Sequence, residues 1–377
     1  MTAAASGDFP VSGFADAPFG RVRDAFALNF AEGTELGARF CVFVEGRCVV
    51  DLVGGYADRA REIPWTDDTL AGIYSSGKLV VALLVARAVS DGKLDYDAPV
   101  ARWWPEFAPG GKADVTLAEA LSHQSGIVGF ADEAPADIWL DWDRTTSRLA
   151  AMAPLFPPRS ASGYGPQSFG FIAGEVLRRA TGRGVARQLR EDFGDVDLHC
   201  ALRPEEIARA AYMPKPPRAP DLGPLTELKR VAFLKPWSAP GGVTREAWMA
   251  AEIPSANIHA TARALAELAH PFANLGVHRG ARIIGAGALA AALEERIVGD
   301  DLVLPFRLSW AAGFMRNING HFGPSGSAFG HAGFGGSSVM FDPVHRISAA
   351  YVMNRMSPHL VGDPRGLRLV NAVYDAL

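Results

Sequence analysis

Tyr74-Ser75-Ser76-Gly77-Lys78, followed at once by the apolar run Leu79 to Ala86, is the stretch that decides the fold. Its pattern predicts a buried helix that carries a serine and a lysine one helical turn apart at its start, so that both side chains lie on one face. A serine hydroxyl is a weak nucleophile at neutral pH, but a partly desolvated lysine can lose its own proton and accept the serine's. Ser75 and Lys78 are therefore the candidate nucleophile and its activating base.

The motif Ser-x-x-Lys, a signature of one class of serine acyl-enzymes, occurs a second time at Ser90-Asp91-Gly92-Lys93. The helical pattern ends at this Asp-Gly, which is a stop signal, so we expect Ser90 and Lys93 to be solvated turn residues. Free N–H groups and the helix dipole favour a developing oxyanion at the start of a helix and disfavour it at the end. The position at the start of the helix therefore favours Ser75 over Ser90 as the nucleophile.

The composition is typical of a globular protein of enzyme size. With 377 residues, 49% of them hydrophobic and 21% charged, the chain can bury a large core and is long enough for two domains. The net charge of −4, without any block of like charges, gives no electrostatic footprint for nucleic acid or an anionic membrane. We therefore expect a small-molecule partner, with neither nucleic acid nor membrane as a partner; the oligomeric state is left open.

The cysteines and the apolar segments indicate a location. Cys41, Cys48 and Cys200 are odd in number, which favours packing roles in a reducing compartment. Met1 to Phe9 has neither the basic nor the apolar region of a signal peptide, and Leu79 to Ala86 is far shorter than the ~18 residues that span a bilayer. These features predict a cytoplasmic protein.

Strand patterns lie near both ends of the chain, and helical periodicity dominates the middle. Alternation predicts a hairpin over Ala38 to Leu52 and strands over Leu308 to Met315, Ser337 to Phe341 and Ile347 to Met353. Helices are predicted over Arg21 to Glu32, Leu117 to Leu121, Phe169 to Ala180, Ala260 to Leu268 and Gly366 to Leu377. We predict an α/β (α+β) fold in which residues 1–80 and 300–377 share one antiparallel sheet flanked by helices. Residues 81–299 form an inserted, mainly helical domain, with the active site in the cleft between the two.

The segment from Tyr212 to Pro240 is rich in proline and has no clear period. We interpret it as a long ordered loop. Such a length inside a compact domain is unusual and is typical of a lid or a pocket wall, although a plain domain connector fits equally well. If it is a wall, Phe233 and Trp237 supply its apolar surface.

A serine–lysine pair needs a group that relays a proton to the leaving atom, and a tyrosine serves if neighbouring positive charge lowers its pKa. Tyr164 is the candidate, because Gly163-Tyr164-Gly165-Pro166-Gln167 forms a loop directly before the predicted helix Phe169 to Ala180. Tyr74 adjoins Ser75 in sequence and is placed as a pocket wall.

The stretch from Phe329 to Ser338 is dense in glycine, which lets a backbone approach a ligand closely. A phosphate-binding loop is excluded because no Gly-Lys-Ser/Thr follows. In an acyl-transfer site, a backbone N–H from this stretch can join the N–H of Ser75 as an oxyanion hole.

Four motifs occur in the order seen in the serine β-lactamase and penicillin-binding-protein superfamily: Ser75-Ser76-Gly77-Lys78, Leu121 to Gly126, Tyr164 to Arg179, and Gly330-His331-Ala332-Gly333. The chain most closely resembles the class C β-lactamase-like carboxylesterases called family VIII esterases. The resemblance spans Arg39 to Met356, and includes Phe341-Asp342-Pro343, Tyr351 to Met356 and Ile253-Pro254-Ser255-Ala256-Asn257. It implies a β-lactamase/transpeptidase-like fold.

The resemblance also implies roles. Ser75 is the nucleophile, Lys78 its base, and Tyr164 the proton relay to and from the leaving alcohol. The backbone N–H groups of Ser75 and Phe334 bind the oxyanion, and His331 takes the place of the lysine in the family's Lys-Thr/Ser-Gly triplet. The residues expected at the substrate are His331, Gly333, Tyr74 and Trp237.

Two departures from the family pattern bear on the substrate. The usual Tyr-x-Asn has Pro166 at its third position, and the Lys-Thr/Ser-Gly triplet has become His331-Ala332-Gly333. The missing lysine removes a cation that pairs with the carboxylate of a β-lactam or a D-Ala-D-Ala terminus, and proline has no side-chain amide. A neutral ester needs neither group, so the leading hypothesis is a serine carboxylesterase that acts on short- to medium-chain esters.

Other classes of protein fit less well. No Gly-x-Ser-x-Gly occurs in the sequence, so the main signature of an α/β-hydrolase is missing. No His-Glu-x-x-His or clustered Cys/His spacing occurs, so neither a metal nor another cofactor is expected. A β-lactamase or D-Ala-D-Ala peptidase, and an acyltransferase, stay open within the same fold. The joint presence of Ser75, Lys78 and Tyr164 argues against a non-catalytic penicillin- or peptidoglycan-binding module.

Overall fold

A nine-stranded sheet joins the two ends of the chain. The structure, a computed structural model, describes residues 9–377. Within them the strands are β1 (Val11–Ala15), β2 (Gly37–Val44), β3 (Arg47–Gly55), β4 (Ala71–Gly72), β5 (Leu198–His199), β6 (His259–Ala260), β7 (Val277–His278), β8 (Ala281–Arg282), β9 (Ile297–Asp300), β10 (Arg307–Trp310), β11 (Met315–Arg316), β12 (Phe329–Ala332), β13 (Ser338–Asp342) and β14 (Ile347–Met353). The large sheet has the strand order β1-β3-β2-β14-β13-β12-β11-β10-β9.

The N-terminal and C-terminal strands of this sheet meet where β2 pairs with β14, with Val44 opposite Ile347. All neighbouring strands of the large sheet run antiparallel. The predicted fold class, an antiparallel sheet from both chain ends flanked by helices, is therefore confirmed. A small sheet of order β4-β6-β5 holds the segment just before Ser75.

Helices cover both faces of the large sheet. Those of the described residues are α1 (Gly20–Ala31), α2 (Lys78–Ser90), α3 (Leu117–Leu121), α4 (Trp142–Ala151), α5 (Ser168–Thr181), α6 (Val185–Asp192), α7 (Pro204–Ala208), α8 (Glu227–Lys229), α9 (Arg245–Ala250), α10 (Ala262–Ala273), α11 (Ala286–Leu293) and α12 (Pro364–Tyr374). Successive side chains of a strand point to opposite faces of the sheet, so the side chains of β2 contribute alternately to two hydrophobic cores. Phe40 and Val42 belong to the core that includes residues of α1 and α12, whereas Cys41 and Phe43 belong to the core around α10 and α2.

The predicted strand over Leu308 to Met315 is wrong as one element. The structure has two short strands, β10 and β11, joined by a turn in which the N–H of Ala311 donates to the carbonyl of Phe314 over 2.9 Å. Gly313 in this turn has a φ of 96°, and a Cβ there would lie 2.7 Å from the Cβ of Ala82. The turn thus needs glycine because it presses against α2.

The segment from Tyr212 to Pro240 is more structured than the predicted loop. It contains α8 and, directly after it, a π-helical turn over Arg230–Leu234. The predicted division at residues 80 and 300 stays a prediction; α10, which that division assigns to the inserted domain, packs on β2, β13 and β14.

Two expectations concern the chain's relation to membranes. The first is the predicted absence of a signal peptide over Met1 to Phe9. Residues 1–8 of this stretch lie outside the described residues. Between residues 9 and 377, no helix has the length and apolar character that crossing a bilayer requires.

Candidate active site

The nucleophile candidate lies in a tight turn in front of α2. Tyr74–Gly77 form a 3₁₀ turn and Lys78 is the first residue of the α-helix. Side chains three residues apart eclipse one another in a 3₁₀ turn, which brings the Nζ of Lys78 within 2.9 Å of the Oγ of Ser75. Tyr74 has a φ of 46°, a left-handed conformation that is costly for a large side chain and is often found at functional sites.

Lys78 is fully buried, with a relative exposure of 0%. Besides the Ser75 hydroxyl, its Nζ donates to the backbone carbonyls of Pro166 over 2.8 Å and of Ser255 over 3.2 Å. No carboxylate among residues 9–377 pairs with it, and burial lowers the pKa of its ammonium well below the ordinary value. Loss of one proton from this ammonium would leave two N–H groups for the two carbonyls and a lone pair for the Ser75 hydroxyl.

Tyr164 completes the contact set around Ser75. Its hydroxyl donates to the Oγ of Ser75 over 2.7 Å, and the Nζ of Lys78 lies 5.0 Å from the centre of its ring. The pKa of Tyr164 is raised, chiefly by burial, with the Ser75 hydrogen bond opposing this and Asp301 adding to it. The condition that a neighbouring positive charge lowers this pKa is therefore not met, and Tyr164 is a protonated donor.

The loop that carries Tyr164 is held by two residues that the sequence analysis did not assign to the site. The N–H of Tyr164 donates to the Oδ1 of Asp301 over 3.1 Å. The N–H of Gly165 donates to the Nδ1 of His123 over 3.2 Å, and the rings of His123 and Tyr164 lie 4.8 Å apart. His123 belongs to the motif Leu121 to Gly126, so its position in that motif was the available signal.

The glycine-rich stretch after β12 approaches the nucleophile turn closely. A Cβ at Gly333 would lie 2.2 Å from both the carbonyl oxygen of Ile73 and the Oγ of Ser337, so no other residue fits. The Ser337 hydroxyl donates to the Ile73 carbonyl over 2.8 Å, which ties the two segments together. The N–H groups of Ser75 and Phe334 donate to no other described backbone or side chain, so both are available to an oxyanion.

A cavity of about 690 Å³ opens over Ser75 and Tyr164, a size typical of small-molecule sites. Its walls are mainly apolar and include Tyr74, Met213, Phe233, Leu234, Trp248 and Phe334. The segment from Tyr212 to Pro240 thus contributes to the wall. Ser75 and Phe334, whose backbone N–H groups are free, both line this cavity.

Of the residues expected at the substrate, Tyr74 lines the cavity, but His331, Gly333 and Trp237 do not. The indole N–H of Trp237 donates to the carbonyl of Phe130 over 2.9 Å, which directs the ring into the protein. His331 is 1% exposed, and burial, with a smaller contribution from Lys78, lowers its pKa to about 3. The residue in place of the family lysine is therefore neutral.

One group of potential metal donors is found among the described residues, and it lies outside the cavity. Cys41, Cys48 and Asp51 bring their ligand atoms within 4.8 Å of one another. The Asp51 carboxylate is already paired with Arg39 over 2.7 Å and with Arg263 over 3.0 Å. Two guanidinium charges at that distance disfavour a cation, so the donor set does not fit a metal. The expectation of no cofactor stays a prediction.

The comparison with known proteins agrees with this geometry. The Beta-lactamase family model matches residues 23–372. The chain belongs to the beta-lactamase family. The chain is 32% identical to the Esterase/beta-lactamase LipL of Mycobacterium tuberculosis, in an alignment that covers 94% of this chain and 86% of LipL.

Solved structures of similar proteins support the assignment of this chain to the beta-lactamase family. A novel penicillin-binding protein homologue from Caulobacter crescentus shares 49% identity with a TM-score of 0.95, covering 98% of this chain and 100% of that one. A family VIII carboxylesterase shares 38% identity with a TM-score of 0.90, over the same fractions of the two chains. The resemblance to the superfamily and to its family VIII esterases is confirmed, and the protein is a serine hydrolase.

Proposed function

We propose that this serine hydrolase is a carboxylesterase that hydrolyses short- to medium-chain carboxylic esters through a covalent acyl-enzyme on Ser75. The observation that carries the proposal is the joint contact of Lys78 and Tyr164 with one oxygen, at 2.9 Å and 2.7 Å from the Ser75 Oγ. A base and an acid on the same nucleophile are what acyl transfer requires.

In the acylation step, the lone pair of Lys78 accepts the Ser75 proton as the Oγ forms a bond to the ester carbonyl carbon. The N–H groups of Ser75 and Phe334 stabilise the resulting oxyanion. The bond between that carbon and the alcohol oxygen then breaks, and the leaving oxygen takes a proton from Tyr164. Tyr164 recovers a proton from the Lys78 ammonium, which returns both groups to their neutral state.

Deacylation reverses these roles, with water in place of the alcohol. Water gives a proton to Lys78 and its oxygen attacks the acyl carbon. The bond from that carbon to the Ser75 Oγ breaks, and Tyr164 protonates the Oγ and is reprotonated by Lys78. Because each step begins from an uncharged lysine, its burial, which lowers the pKa of the ammonium, supports activity at neutral pH.

The neutral state of His331 supports an ester over a β-lactam. β-Lactams carry a carboxylate beside the reacting amide, and a histidine with a pKa of about 3 supplies no cation for it. LipL is named as both an esterase and a β-lactamase, so β-lactam hydrolysis is the second candidate. The cytoplasmic location stays a prediction.

A hydrolysis screen tests this proposal. Wild-type protein is assayed with p-nitrophenyl acetate, butyrate and octanoate, and with nitrocefin and a D-Ala-D-Ala peptide. We expect ester hydrolysis to exceed turnover of both other substrates, and a fluorophosphonate probe to label the peptide that contains Ser75. Nitrocefin turnover equal to that of the best ester contradicts the substrate assignment, and a probe that labels no serine contradicts the enzyme assignment.

A further inference from the structure

The charged residues that line the cavity are all of one sign. They are Lys215 and Arg245, and neither aspartate nor glutamate lines the cavity within residues 9–377. The chain as a whole has more acidic than basic residues, 41 against 37, so a purely cationic lining is not a consequence of composition. A wall with two cations and no anion favours an anionic ligand group.

Arg245 is fixed in place and still has free donors. It is the first residue of α9, and one terminal nitrogen, Nη2, donates to the carbonyls of Ala210 over 2.8 Å and Ala211 over 3.3 Å. No acidic side chain of the described residues pairs with it. Because these bonds engage only Nη2, the Nη1 and Nε groups are free to donate to a carboxylate.

Lys215 differs from the other lysines of its segment. The Nζ of Lys229 donates to the carbonyl of Leu222 over 2.6 Å, and the Nζ of Lys235 lies 2.7 Å from Glu227. Lys215, in contrast, is exposed at the rim of the cavity, and it has no ion pair or side-chain hydrogen bond within the part of the chain that the structure describes. Its charge is therefore available to a ligand.

Aromatic rings lie between Arg245 and Ser75. The ring of Tyr74, next to Ser75, lies 6.1 Å from that of Trp248, and Trp248 lies one turn along α9 from Arg245. A molecule that places its ester carbonyl at Ser75 and reaches Arg245 therefore has to cross these rings, which suits a chain of methylene groups.

We propose, on the basis of the esterase function above, that Arg245 and Lys215 form an anion subsite and that the substrates are esters with a remote carboxylate, such as half-esters of medium-chain dicarboxylic acids. The guanidinium of Arg245 binds the carboxylate by charge-assisted hydrogen bonds, and the ammonium of Lys215 adds a mobile charge at the rim. This carboxylate lies at the far end of the substrate, unlike that of a β-lactam, which adjoins the reacting carbonyl.

A pair of substrates that differ only in the remote charge tests the subsite. Mono-4-nitrophenyl octanedioate carries a free carboxylate, and its methyl ester at the far end is the neutral counterpart with the same leaving group and chain. The readout is the ratio of kcat/KM for the acid to kcat/KM for the methyl ester, measured by release of 4-nitrophenolate. For Arg245→Gln combined with Lys215→Gln, we expect this ratio to fall about fivefold or more, because partly exposed charge pairs contribute up to about 1 kcal/mol each.

Matched variants and salt complete the test. Arg245→Lys keeps the charge and is expected to retain most of the preference, and Lys215→Gln alone changes an exposed side chain that supports no other residue. Lys93→Gln removes an exposed lysine remote from the cavity and should leave the ratio unchanged. High salt should reduce the wild-type ratio, because screening weakens exposed charge pairs.

The outcomes separate the two proposals. If wild-type protein hydrolyses 4-nitrophenyl butyrate but its acid-to-methyl-ester ratio equals that of the double variant, the anion subsite is wrong and the esterase function stands. If wild-type protein hydrolyses none of these esters, the esterase function is wrong and the subsite with it.

Discussion

The two ends of helix α2 carry the same motif in opposite circumstances. At the start, the Lys78 Nζ lies 2.9 Å from Ser75 and is fully buried. At the end, the Ser90 Oγ accepts a hydrogen bond from the N–H of Gly285 over 2.8 Å, and the Lys93 Nζ lies 4.0 Å from Asp91 in solvent. The same residue types at the same spacing form a hydrogen-bonded pair with a buried lysine in one place and a surface turn in the other.

The difference comes from backbone geometry and from what covers each pair. The 3₁₀ turn over Tyr74–Gly77 aligns its serine with the lysine, whereas Gly92, with a φ of 69°, reverses the chain between Ser90 and Lys93. The first pair is also enclosed by Tyr164 and by two backbone carbonyls. A motif therefore predicts chemistry only where the fold supplies the enclosure.

The largest difference between the two ends is expected from the serines. Ser75→Ala removes the nucleophile and should reduce hydrolysis of p-nitrophenyl butyrate by at least about 10³-fold, whereas Ser90→Ala should leave it unchanged. Initial rates measure both, and circular dichroism checks that both variants fold. A Ser75→Ala protein with wild-type activity would show that the acyl-enzyme is formed elsewhere.

The lysines should differ by a smaller factor and also in pH dependence. Lys78→Ala removes a positioned base and should reduce kcat/KM by about 10²-fold, and Lys93→Ala should not. Since only uncharged Lys78 accepts a proton, wild-type kcat/KM should fall as the pH is lowered through the depressed pKa of this group. Rates measured over the whole pH range in which the protein stays folded should show that acidic limb in wild type and in Lys93→Ala, and lose it in Lys78→Ala. The same limb in all three proteins would assign it to another group.

The smallest effect is on stability. In the unfolded chain Lys78 holds its proton up to a pH of about 10.4, while the folded protein, in which burial depresses the pKa, does not. Between the depressed pKa of the folded state and the unfolded value of about 10.4, unfolding therefore takes up a proton, and in that pH window the free energy of unfolding of wild type should rise relative to Lys78→Met by up to about 1.4 kcal/mol per pH unit. Urea unfolding at these pH values measures the difference. Lys93→Met should show no such slope relative to wild type, and a Lys78→Met curve parallel to wild type would indicate a charged Lys78 in the folded state.

The sequence was sufficient for the parts of the site that depend on side-chain chemistry. It singled out Ser75, Lys78 and Tyr164, which the structure brings together, and the strand over Ile347 to Met353 has the predicted bounds. It could not reveal the partners of Lys78, because the carbonyls of Pro166 and Ser255 belong to the backbone, which every residue has. In the sequence, Pro166 stood out only because it replaces the asparagine of the family's Tyr-x-Asn and so lacks a side-chain amide. In the structure, its backbone carbonyl accepts a hydrogen bond from Lys78.

Other differences have causes that are only visible in three dimensions. The turn between β10 and β11 requires glycine at position 313 because Ala82 lies against it. A strand pattern in the sequence gives no information about a neighbour more than 200 residues away in the chain. Trp237 fits an apolar wall by type, but the cavity wall is formed by Phe233 and Leu234. The pKa of Tyr164 rises because burial outweighs the opposing hydrogen bond to Ser75, and the depth of burial depends on the complete tertiary structure.

The junction between β2 and β14 also decides when the molecule can fold during its synthesis. Asn354, just after β14, accepts a hydrogen bond from the N–H of Gly37, 317 residues earlier. Contacts at such sequence separation form late, because a long intervening chain has to be ordered first. The ribosome delivers the N-terminal strands first, so β2 remains without this neighbour until β14 has been synthesised. Ser75 and Lys78 are therefore synthesised long before the sheet that joins β2 to β14 can form.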